Sequence, residues 1–323
     1  MSFALSPIGY VNDLIASTNA IRQRLVGGAL PCDLFHYTSP DSIISIIHSR
    51  HLRATCASDL ADQTEIHHGC DLLSDEIRKI IAIGVSPFEQ IVLSKLPDHV
   101  RVRINRTFVA CFCAYPNSLY HWRLSKHWGY GDFCLKIPST TANQPHLRPS
   151  CGDAYLQYHR VIYGQIKQRR AISQALASVR NALDRYSRGT AEGPWIQGLG
   201  DFVARNAAEL LLDLIVSFKR RRYALDREWR LVVRPNSALC SSAPDIADAN
   251  FDVMVKRASK RYVELFVKVE YSPFRPMLRP PIPFSGIIRS PFLRERVTQA
   301  EIQSALDEHD RQDIHVTRVG WLG

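Results

Sequence analysis

The chain has 323 residues and a formal net charge of +10, from 41 Lys and Arg against 31 Asp and Glu. Hydrophobic residues make up 46% and charged residues 22%, which is enough apolar surface for a packed core and too much for a disordered chain. No stretch reaches the ~18 consecutive apolar residues of a membrane helix, and the start of the chain lacks a basic region followed by a long apolar block. A protein outside the membrane, in the cytoplasm, is expected.

Residues 1–30 read as a helical lead-in, with Leu14, Ile15, Ile21 and Leu25 near helical spacing. Residues 31–323 read as one domain. It opens on a strand, Asp33 to Thr38, that runs into a helix start: Ser39 can cap, Pro40 suits the first turn, and Asp41 favours the positive helix end. Ile43, Ile44, Ile46 and Ile47 give that helix its apolar stripe. Strands are expected at Leu52 to Thr55, Thr107 to Tyr115 and Phe133 to Ile137, with a helix ending near Ile83 between the first two. Residues 161–219 read as a helical insertion, clearest at Ile166 to Tyr186 and Phe202 to Phe218. Strands resume at Glu228 to Val233, Tyr262 to Val269 and Ser285 to Ile288. A capped helix from Thr298 and a strand at Ile314 to Val319 complete the chain. Strands and helices mix without βαβ alternation, so the fold class is α+β.

The eight cysteines lie mostly in apolar surroundings, as buried free thiols do in a reducing compartment. Cys56, His67, His68 and Cys70 are the best metal-like cluster, but no CxxC pair accompanies them, and no metal is expected. Glycine-rich nucleotide loops, HExxH and GxSxG are also absent, which removes the commonest enzyme signatures. Two basic runs, Lys167 to Arg170 and Lys219 to Arg222, suit nucleic acid or another acidic partner, or else form solvated helix faces.

Three features carry chemistry. Glu228 lies on a strand, with Arg230 on the same face by alternation. A fixed carboxylate there can stabilise the oxocarbenium-like state of N-glycosidic cleavage, or simply form a salt bridge. His36 ends a strand just before a helix N-terminus, with Thr38 on its face and Tyr37 on the other. Its imidazole can donate to a sugar hydroxyl while the helix start faces phosphate, or it is an ordinary packed or surface histidine. Tyr120, Trp122, Trp128 and Tyr130 offer flat partners for an aromatic ring, or ordinary packing.

The order of these pieces resembles a bacterial family catalogued as domain of unknown function 2971. The matching stretches are His36-Tyr37-Thr38 with the following helix, Asp62 to Glu65, Cys111-Phe112-Cys113, Ser118-Leu119 with Trp122, Gly129 to Gly131, and Glu228-Trp229-Arg230. Ala61 departs from the family's Asn, and Ile287 to Pro291 is a degraded form of its closing motif. The pattern is in turn similar to the ADP-ribosyltransferase fold, a mixed, largely antiparallel sheet. That resemblance implies NAD as substrate, with His36 and Glu228 as catalytic residues. It also implies NAD contacts from Tyr37, Thr38, Trp122, Tyr130 and Arg230, and a toxin or defence role with a nucleic-acid or protein acceptor. The alternatives are a non-catalytic nucleic-acid or partner-binding module, and an RNA 2′-phosphate-transferring enzyme drawing on Arg160, Arg222 or Arg230.

Overall fold

A computed structural model of the chain describes residues 7–31, 33–60, 62–116, 122, 132–138, 147–149, 154–187, 196–235, 255–257, 260–267, 283–290, 299–309 and 311–318. It is α+β, with seven α-helices and a mixed sheet of eleven strands among these residues. By contacts the chain divides into two compact units, one helical and one built on the sheet.

The helical unit comprises Met1–Gly28, Ala57–Thr107 and His159–Arg222. The lead-in and the insertion, read as separate pieces in the sequence, thus share one unit with a middle segment. Its helices are α1 (Pro7–Leu25), α3 (Gln63–Ile83), α4 (Pro87–Ile104), α5 (Gln165–Ser187) and α6 (Ile196–Ile215). Asp62 caps α3 and Ser86 caps α4 through side-chain oxygens that accept from Thr64 N and Glu89 N. Gly69 of α3 lets that helix approach α6 closely: a Cβ there would sit 2.9 Å from Ile215. The helix α4 has no counterpart in the sequence reading. Pro97 interrupts its interior, and Val100 to Ile104 alternates apolar and basic residues as a strand would.

Helix α2 (Pro40–Ser49) belongs to the sheet unit, as does α7 (Gln299–Asp307). Ser39 caps α2 as expected, its hydroxyl accepting from Ser42 N at 3.3 Å, and Arg50 ends it in the left-handed region at φ 60°. The sheet is organised by β3 (Phe108–Cys113). One edge of β3 pairs along its whole length with β9 (Glu228–Pro235). The other edge is shared: β2 (Leu52–Cys56) pairs with its start, and β1 (Asp33–Thr38) meets its end through Phe35 and Cys113. One wing continues from β1 through β4 (Phe133–Pro138) and β12 (Gly286–Arg289) to β13 (Val316–Arg318). The other continues from β2 to β11 (Lys260–Val267), flanked by β10 (Val255–Arg257) and β5 (Leu147–Pro149). Beyond β9 lies β6 (Ala154–Arg160).

Residues directly opposite across a ladder share a face. Leu34, Phe108, Ala110, Phe112, Leu135, Leu231 and Val233 therefore form one apolar face. Ile43, Ile46 and Ile47 of α2, and Ile302 and Leu306 of α7, join them in one buried cluster. The other face carries a smaller cluster of Phe35, Cys113, Trp122 and Cys134, with Tyr37 against it.

Candidate active site

Glu228 opens β9 directly after Arg227, whose backbone is left-handed at φ 44°. The Arg227 carbonyl accepts from Ala114 N at 3.3 Å, and its guanidinium lies 4.9 Å from the centre of the Tyr115 ring. These contacts fix the start of the strand opposite the end of β3. Glu228 then faces Cys113, and Arg230 faces Cys111. Both side chains are buried, and Arg230 Nε donates to Glu228 Oε1 at 2.7 Å. Arg234, two strand repeats further on the same face, is also buried, with its guanidinium 4.0 Å above the Tyr155 ring.

The register brings Tyr37 and Trp122 to this same face. Phe35 pairs with Cys113, which pairs with Glu228, and Tyr37 follows Phe35 by one strand repeat. The Tyr37 ring meets the edge of Trp122 at 4.8 Å, and its hydroxyl donates to the Pro116 carbonyl at 2.8 Å. Trp122 is fully buried, whereas Tyr37 keeps part of its surface open. Tyr37 is the aromatic with a face to offer, and Trp122 is its support. Tyr120, Trp128 and Tyr130 lie outside the described residues.

His36 is not brought to this group. It pairs with Leu135 and shares the opposite face with Leu34 and buried Thr38. Its position nonetheless bears on the site. Where β1 and β3 part after Phe35 and Cys113, His36 Nδ1 lies 3.0 Å from the Cys111 carbonyl. A carbonyl only accepts, so Nδ1 carries the proton. Burial holds the imidazole below the ordinary histidine range, against a smaller upward pull from that carbonyl. The Nδ1–H is thus donated to the backbone, which leaves Nε2 as the ring nitrogen for any other partner.

The cysteines Cys56, Cys70, Cys113 and Cys134 are buried, and Cys111 is partly exposed. Burial pushes the Cys70 thiol up to about 11, which keeps it protonated near neutral pH. Among the described residues no group of three or more His, Cys, Asp or Glu is placed to hold a metal ion. Nor is any helix among them long and apolar enough to cross a membrane.

Sequence reasoning passed over Arg227 and Arg234. Arg234 was legible, since strand alternation from Glu228 puts it on the same face. Arg227 was not, because only the folded backbone reveals its left-handed turn. Compared with protein-family models, curated proteins and solved structures, the chain finds no match.

Proposed function

We propose that the sheet unit cleaves NAD, as an ADP-ribosyltransferase or an NAD glycohydrolase. The observation carrying this reading is the face shared by Glu228 and Arg230 of β9 and Tyr37 of β1, on either side of β3. Breaking the bond from nicotinamide to ribose sends the bonding electron pair to nicotinamide and leaves positive charge on the sugar. In this proposal the Glu228 carboxylate stabilises that charge and holds a ribose hydroxyl. Tyr37, backed by Trp122, stacks on the nicotinamide, while Arg230 and Arg234 meet the diphosphate. His36 positions β1 against β3 rather than touching substrate. Water or an acceptor nucleophile then attacks the sugar carbon. A toxin or defence role in a bacterium rests on the family resemblance alone.

One observation favours a second reading, a non-catalytic binding module. Glu228 and Arg230 are only 4% and 3% exposed in their side chains and already satisfy each other. A carboxylate so occupied also serves as a purely structural ion pair.

Nicotinamide release from NAD by the purified chain separates the two, with and without RNA, DNA and protein fractions. Glu228→Gln and Glu228→Asp are assayed beside it after their fold is checked by circular dichroism. Release by the wild type, lowered about 10²-fold or more in Glu228→Gln, is expected. Absence of release in every fraction, with the wild type folded, overturns the enzyme reading. Equal release by the folded Glu228→Gln removes Glu228 from the site.

A further inference from the structure

The two basic runs of the sequence are about fifty residues apart, and the fold of the helical unit brings them together. Residues 162–163 and 218–219 form a two-stranded parallel pair, β7 (Ile162–Tyr163) with β8 (Phe218–Lys219). Gln168, inside the first run and buried, clamps the junction: its side-chain amide donates to the Ile162 carbonyl at 3.0 Å and the Lys219 carbonyl at 2.9 Å. Gly164 N donates to that same Lys219 carbonyl at 3.3 Å. Residues 159–170 and 214–222 thereby become one surface, with eight Lys or Arg and no Asp or Glu between them.

The charges in this surface are arranged against local stability. Lys167, Arg169 and Arg170 occupy the first turns of α5, where the helix dipole favours acidic residues, and no acidic residue stands in the first turn. Three arginines, Arg220 to Arg222, follow on the adjoining strand end, all exposed. Arg169 is paired with Glu76 at 3.1 Å and Asp75 at 3.6 Å of α3, and other exposed arginines of the unit have a carboxylate close by: Arg78 with Asp75, Arg101 with Asp98, Arg205 with Asp201. Lys167, Arg170 and Arg221 are exposed and have no ion-pair partner among the described residues. Ile166, beside them in the first turn of α5, is 86% exposed and offers an apolar contact amid the charge.

We infer that this surface binds the phosphodiester backbone of a nucleic acid. Clustered cations held at fixed spacing gain from the counterions that a polyphosphate releases, and a small apolar contact suits a sugar or base. The interaction does not depend on NAD cleavage and is read without NAD, so either proposal can fail while the other stands.

Fluorescence anisotropy with labelled RNA and DNA oligonucleotides, single-stranded and duplex, at 50 and 200 mM salt tests it. The triple variant Lys167→Gln, Arg170→Gln, Arg221→Gln is compared with a control of equal net charge, Lys95→Gln, Arg101→Gln, Arg205→Gln. Binding by the wild type is expected for at least one oligonucleotide. The first triple should weaken it about tenfold or more, and lower the log–log salt slope by about 0.9 for each phosphate that is no longer neutralised. The control should stay within about threefold of the wild type. Equal weakening by both triples shows diffuse charge rather than a site and overturns the inference. So does absence of binding at 50 mM salt, or binding to anionic phospholipid vesicles in place of every oligonucleotide. Thermal melts of both triples confirm that the changes act on binding and not on folding.

Discussion

Among the described residues each unit holds an ion pair with both side chains buried, and the two pairs are built differently. In the helical unit Arg22 Nε meets Asp213 Oδ2 at 2.5 Å, joining α1 to α6 across 191 positions of sequence. Arg22 also donates to Asn19 Oδ1, and the backbone of Asp213 accepts from the Ser217 hydroxyl at 2.6 Å. That hydroxyl, its proton already donated, accepts from His159 Nδ1 at 3.3 Å. The pair is the centre of a network that ties distant segments together. In the sheet unit Glu228 and Arg230 are two residues apart on one strand, and the bond between them connects nothing that the backbone does not already connect. Desolvating two charges costs several kcal/mol in either place. In the first case the cost secures tertiary structure. In the second it fixes the Glu228 carboxylate on its own strand.

The sharpest way to break this comparison is Asp213→Ala, which strands Arg22 without its carboxylate. A loss of about 3–5 kcal/mol is expected in urea denaturation, reported by the helical signal. A loss below about 1 kcal/mol would show that Arg22 finds water or another partner, and the contrast with Glu228 would lose its basis. A smaller effect is expected from His36. Its folded pKa lies below the unfolded value of about 6.5, so the unfolded chain binds the extra proton between the two. Stability is complete above pH ~6.5 and falls as pH drops from there toward the folded pKa. His51 and His99 are lowered as well and add to the same decline. Urea midpoints at pH 7.5 and 5.5 should differ less in His36→Gln, which keeps a donor for the Cys111 carbonyl, than in the wild type. An unchanged difference would mean that His36 titrates alike in both states. The smallest effect is at the cap of α2: Ser39→Ala should cost about 1 kcal/mol in the same measurement.

Local chemistry made much of this fold legible. The Ser39-Pro40-Asp41 start, the isoleucine stripe of α2 and the alternation along β9 all act over a few residues and stand as read. Helix α4 escaped because its turn-by-turn pattern is weak and Pro97 argues against it. The short strands β5, β7 and β8 escaped because they carry little pattern of their own. The candidate site was legible residue by residue but not as a constellation. Alternation placed Glu228 with Arg230 and separated His36 from Tyr37 correctly. Which face of β1 joins which face of β9 depends on one pairing, Phe35 with Cys113, made between strands about eighty residues apart. No local rule fixes that register, and a shift of one residue would have exchanged the roles of His36 and Tyr37.

The shared edge of β3 has a consequence for the order in which the chain assembles. Each wing of the sheet is stitched from segments far apart in sequence: β1 with β4 about a hundred residues on, β2 with β11 about two hundred. Such pairings pay loop-closure entropy before they gain contacts, and they form slowly. Among the described strands the wings meet only on β3, β2 at its first residues and β1 at its last. Phe108–Cys113 is therefore the segment on which two slow processes must converge, and the sheet can close only after that six-residue strand is in place.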